Sequence, residues 1–148
     1  MSDRVVVEVK VSGGAELFEA LEKAPREVAK AIIRAGLRSA AGIWRGEMKT
    51  RVARGWHVFK SSLLGRSREW GFLAGHIGMK VRVTGDELEG SCQVGPVKKG
   101  FWALFLEFGT AHMPAQPFIR PSFETRRQEV LDRFTTVCKE KLEKLGLR

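Results

Sequence analysis

Gly100-Phe-Trp-Ala-Leu-Phe-Leu-Glu-Phe-Gly-Thr-Ala-His-Met-Pro-Ala-Gln-Pro-Phe-Ile-Arg-Pro-Ser-Phe-Glu124 is the stretch around which this chain is organised. From Phe101 to Phe108 it is apolar except for Glu107. The six residues from Phe101 to Leu106 are too few for an independent helix and predict a buried strand or a single turn. Gly109 stops the run. Pro114, Pro117 and Pro121 each fix φ and push the residue before them toward extended backbone, so 110–120 is expected to be a stiff, extended arm. Pro121 suits the first position of the helix that follows. Glu107 is expected to answer a positive charge or a backbone donor at the end of the buried run.

Outward from this stretch, the flanking sequence predicts mixed elements. Val5, Val7, Val9 and Val11 alternate as in a half-buried strand. Ala15 to Ala24 predicts a short helix with Leu17, Phe18 and Leu21 inside. From Pro25 to about Ala53, Val28, Ile32, Leu37, Ala40, Trp44, Met48 and Val52 form one apolar helical stripe. Gly36, Gly42 and Gly46 each cost about 1 kcal/mol against alanine in a helix interior, which predicts close packing of another backbone there. Two alternating runs, Ile77 to Val83 and Leu88 to Val94, flank Gly85-Asp86 and predict an antiparallel hairpin ended by Gly95-Pro96. Beyond Pro121, Phe123, Leu131, Phe134, Cys138, Leu142 and Leu145 mark the inner face of a C-terminal helix, with Gly146 as its stop.

These elements predict an α+β fold: a small antiparallel β-sheet packed against a long N-terminal helix and a C-terminal helix. The 148 residues suit a single domain with its own core. The segment 54–76 has no convincing period, and its tryptophans and leucines predict that it orders against a neighbouring subunit. No uncharged run reaches the roughly 18 to 20 apolar residues of a membrane helix, and no targeting segment is visible.

Charge is distributed unevenly. The net +9 resides almost wholly in 26–70, where eleven Lys/Arg face three Asp/Glu, whereas 1–25 carry three Lys/Arg against five Asp/Glu. Lys30, Arg34, Arg38, Arg45, Lys49, Arg51 and Arg54 make a candidate face for DNA or an acidic partner, or else a solvated surface. Trp56 and Trp70 in the basic middle segment can serve as interface anchors or stack bases; the interface is the favoured reading. His57, His76 and His112 have no metal-ligand spacing, and Cys92 and Cys138 read as isolated buried thiols. No phosphate-cradling or nucleophile motif is present, and Glu107 with His112 lacks a third catalytic partner. The sequence therefore predicts no enzyme, no cofactor and no metal.

Glu107-Phe108-Gly109-Thr110, Pro114-Ala115 and Pro117-Phe118-Ile119-Arg120-Pro121 together resemble the tail-component, or neck, proteins of long-tailed bacteriophages. Val94-Gly95-Pro96 matches a further step of that family, and Ser122 stands where its members usually have alanine. The resemblance covers roughly 70–145. It implies a structural virion protein of the ring-shaped head–tail junction, located in the virion after assembly in the host cytoplasm. It also implies a homo-oligomeric ring, six-fold or twelve-fold, that meets head-completion or connector proteins and tail-terminator or tail-tube proteins around the passing DNA, with no membrane. In that setting Phe108, Gly109, Thr110, Pro114, Pro117, Phe118, Ile119, Arg120 and Pro121 form the docking arm, with Phe118 and Ile119 as its anchors. The alternative expectation is a nucleic-acid-binding protein that uses 26–70.

Overall fold

The computed structural model describes residues 15–55, 70–84, 88–97, 100 and 103–146. The order is α1 (Ala15–Lys23), α2 (Arg26–Gly55), α3 (Trp70–Gly75), β1 (Ile77–Val83), β2 (Gly90–Pro96), α4 (Ala103–Phe108) and α5 (Ile119–Lys144). The fold is α+β, as the periodicities predict.

Helices α2 and α5 run antiparallel and form the central seam. Arg51 meets Thr125 at one end, Ser39 meets Arg133 in the middle, and Gly36 meets Cys138 further along. The apolar stripe of α2 lies where its spacing puts it from Ile32 on, with Ile32, Leu37, Ala40, Trp44, Met48 and Val52 all buried, while Val28 near its start is half-buried. Trp44 packs edge-on against Phe123, with ring centroids 4.6 Å apart and planes at 70°, a favourable aromatic geometry. Its indole N–H is buried without an acceptor among the described residues, a cost that this packing must outweigh.

The close approach of the two helices explains one glycine of three. A Cβ on Gly36 would come within 2.7 Å of Cys138 Sγ and 2.9 Å of the Phe134 ring. The neighbour there is side chain rather than backbone. Gly42 and Gly46 differ from the expectation, because they are exposed and a Cβ on either would meet nothing within 4 Å.

The antiparallel hairpin forms, with Met79 opposite Val94 and Val81 opposite Cys92, but its second strand is Gly90–Pro96: Leu88 precedes it, and Gly95 and Pro96 pair with Gly78 and Ile77 rather than ending it. It lies across α2, where a Cβ on Gly90 would come within 2.5 Å of the Leu37 side chain and 2.8 Å of that of Ile33. Cys92 reaches the α2–α5 seam and lines a cavity of about 20 Å³ with Val130 and Phe134. Burial pushes the thiols of Cys92 and Cys138 up to about 11, and both are free, as their sequence context predicts.

Four other expectations are met only in part. Phe18 is 39% exposed, because it lies at the flank of the α1 face that buries Leu17 and Leu21. On α5, Val130 and Val137 are buried while Leu131 is only half-buried and Leu145 is 53% exposed, since the helix turns a slightly different face inward. The segment 54–76 has regular structure at its two edges, where α2 runs on to Gly55 and α3 covers Trp70–Gly75 with Leu73 buried, while 56–69 lie outside the described residues. From Ala103 the apolar stretch forms the short helix α4, so of the two alternatives the helical turn holds and the strand does not; Phe101 and Trp102 lie outside the described residues. The predicted strand from Val5 to Val11, the turn at Gly85-Asp86, and Trp56 and His57 lie outside the described residues.

Candidate functional site

Between α4 and α5 the Gly109–Phe118 connection is a folded loop rather than an extended arm. Gly109 N–H donates to Phe105 O at 2.9 Å, ending α4. Its φ of +74° lies in the left-handed region that favours glycine. A Cβ there would also sit 2.8 Å from both Ala115 N and Met113 O. Thr110 and Met113 then exchange backbone hydrogen bonds at 2.8 and 3.2 Å, and Gln116 N–H returns to Leu106 O at 2.7 Å. Prolines stiffen the loop, but these bonds fold it back on α4.

Glu107 completes the loop. Its Oε2 accepts from Phe118 N–H and Ile119 N–H, both at 2.8 Å, and its Oε1 accepts from Arg120 N–H at 3.1 Å. The first four N–H groups of a helix have no partner within the helix. Here three of them reach one carboxylate and the fourth position is Pro121, which has no N–H. Every N-terminal donor of α5 is thus accounted for by a residue from another helix, and a negative charge sits at the positive end of the helix dipole. The side chain of the cap residue, Phe118, makes no capping bond of its own. The expectation that Glu107 meets a backbone donor is met three times over. Pro121 is the third helical residue, not the first, because Glu107 draws Ile119 and Arg120 into the helix ahead of it.

This arrangement divides the candidate docking residues. Phe118 and Ile119, 3% and 1% exposed, lie in the chain's own core. The capped helix points both side chains into the chain's own interior rather than toward the surface. Phe108 is 65% exposed, and Thr110, Pro114, Pro117 and Arg120 are exposed beside it, while Gly109 and Pro121 are half-buried. Phe105, one turn before Phe108, is 45% exposed. The surface the loop presents is therefore centred on Phe108, which the sequence placed in the docking arm without marking it as an anchor.

The basic face is divided too. Arg45 donates to Ile77 O at 3.0 Å and so clasps β1. Arg51 turns to the seam, where it pairs with Glu47 at 2.9 Å and donates to Thr125 Oγ1 at 2.9 Å. Lys30 pairs with Glu27 at 3.0 Å. Arg34 and Arg38 are exposed and Lys49 is half-buried. The side chain of Arg54 lies outside the described residues. Among the described residues the cations of α2 do not share one free face, because α2 is contacted on one flank by the hairpin and on the other by α5.

Glu47 is the charged hub of the seam, held by Arg51 and by Arg126 at 3.2 Å, with Arg126 also 2.6 Å from Glu129. Burial pushes the Glu47 carboxyl up, but its two arginines outweigh this and hold it below the usual carboxylate range.

Glu107 and His112 form no acid–base pair. The carboxylate accepts the N-terminal donors of α5, and His112 is exposed in the turn, where its backbone N–H donates to Thr110 Oγ1 at 3.3 Å. Among the described residues no group of three His, Cys, Asp or Glu is placed to hold a metal ion. No helix among them is long and apolar enough to cross a membrane. Compared with protein-family models, curated protein sequences and solved structures, the chain finds no match.

Proposed function

We propose that this chain is a structural virion protein of a tailed phage, a subunit of the ring at the head–tail junction that acts by assembly and docking rather than catalysis. The observation that carries the reading is the rigid loop between α4 and α5. Three bonds to Glu107 and a glycine that tolerates no side chain hold an exposed phenylalanine, Phe108, in a fixed position. A binding surface ordered before contact loses little entropy on docking, and exposed aromatics are favoured interface anchors. The resemblance of the same residues to phage neck proteins supplies the biological setting. Exposed Arg34 and Arg38 can face the DNA channel or an acidic neighbour.

The experiment is quantitative mass spectrometry of purified particles together with Phe108→Ala in the phage. A small fixed copy number, and a variant that folds normally while heads and tails accumulate unjoined, is the expected outcome. Absence of the chain from particles, or normal particle yield with Phe108→Ala, would reject it.

A further inference from the structure

At the end of the seam where α2 begins and α5 finishes lies an open groove of about 420 Å³. It is lined by Val28, Ala31 and Ile32 from α2 and by Lys141, Lys144 and Leu145 from the end of α5, with Glu27 at its margin. Leu145 is 53% exposed there, an apolar side chain beside two lysines. Glu27 is already engaged by Lys30 at 3.0 Å, so the groove's own acid is answered and the two lysines set its sign. An apolar floor between cations fits an acidic amphipathic helix.

Such a helix exists in the chain. α1 carries Glu16, Glu19 and Glu22, all exposed, and buries Leu17 and Leu21. Phe18 is 39% exposed on its flank, one turn from Glu22 and beside Glu19 on the helix surface. No residue of α1 lines the groove of its own chain. The donor face and the receiving groove are therefore separate surfaces of opposite charge on one molecule.

We propose that the Phe18–Glu19–Glu22 face of α1 on one copy docks in the Lys141–Lys144 groove of the next, with Phe18 against Leu145 and Val28. The contact is head-to-tail, so repetition closes a ring when the rotation per subunit permits. It rests on the assembly reading above and names the surfaces that would build the ring. It also accounts for the chain's charge asymmetry, with an acidic first helix on an otherwise basic protein.

The test is a charge exchange in the full chain, read by native mass spectrometry and by sedimentation across protein concentration. E19K/E22K and K141E/K144E are each expected to assemble at least tenfold more weakly than the unaltered protein, with unchanged circular dichroism. Mixed together they should assemble, because the basic donor of one meets the acidic groove of the other. The fourfold variant should assemble alone. Assembly indifferent to these changes, or lost in each variant and restored in neither combination, would overturn the docking proposal while leaving the ring reading of the unaltered chain standing. An unaltered chain that stays monomeric throughout would overturn the ring reading as well.

Discussion

Glu107 holds the backbone of Ile119 twelve residues further along the chain, accepting its N–H at 2.8 Å, and with Phe118 and Arg120 it fixes where α5 begins. One side chain thereby joins two helices and closes the loop that presents Phe108. Removing it should undo all three at once. Glu107→Ala should cost about 3 kcal/mol in urea unfolding, since three buried or half-buried donors lose a charged acceptor. Glu107→Gln, which keeps an acceptor oxygen, should lose less. Amide exchange at 118–120 should accelerate in both, and unchanged protection there would contradict the capping role.

Gly109→Ala should destabilise by at least about 2 kcal/mol, because the left-handed backbone is strained for alanine. The added carbon would also press on Ala115 N and Met113 O, backbone atoms that cannot swing aside. A thermal melt decides it. A neutral result would mean that the loop relaxes more easily than its hydrogen bonds imply.

Gly36→Ala tests the α2–α5 seam. The new methyl would overlap Cys138 Sγ and the Phe134 ring, for a loss of about 1–3 kcal/mol. Combining it with Cys138→Ala should recover part of that loss, so that the double variant is less destabilised than the sum of the singles. Strict additivity would show that the two residues do not compete for space.

Glu47→Gln should lower stability by about 1 kcal/mol at neutral pH, the upper range for a partly exposed ion pair. Its carboxyl is held below the ordinary value in the folded protein, so its contribution is fully present above about pH 4.5, the unfolded value. That contribution is lost as pH falls through the folded value. Chemical denaturation of both proteins should show the gap closing on acidification from neutral pH. A gap that widened would reverse the assigned sign.

Phe118 and Phe108 should separate folding from docking. Phe118→Ala removes a core ring and should cost about 3–5 kcal/mol. Phe108→Ala removes an exposed one and should stay within about 0.5 kcal/mol of the unaltered chain in a thermal melt. Comparable losses would place Phe108 in the fold rather than on a docking surface.

Periodicity alone determined most of the framework. Alternation along Ile77–Val83 and Leu88–Val94 fixes the hairpin, and the four-residue spacing from Ile32 to Val52 fixes the buried stripe of α2, because strand and helix repeat side chains at different angles. Gly109 could be read as a stop and Glu107 as needing a donor, since both follow from local chemistry. Tertiary structure decided what local chemistry leaves open. Whether Phe118 and Ile119 point outward depends on where α5 starts, and that is set by a carboxylate eleven or more residues upstream. Whether Arg45 and Arg51 are free depends on which elements pack against each flank of α2. Gly36 differs from Gly42 and Gly46 only because α5 crosses one of them. Spacing along one element reports its own geometry, while contact between elements depends on how their surfaces meet.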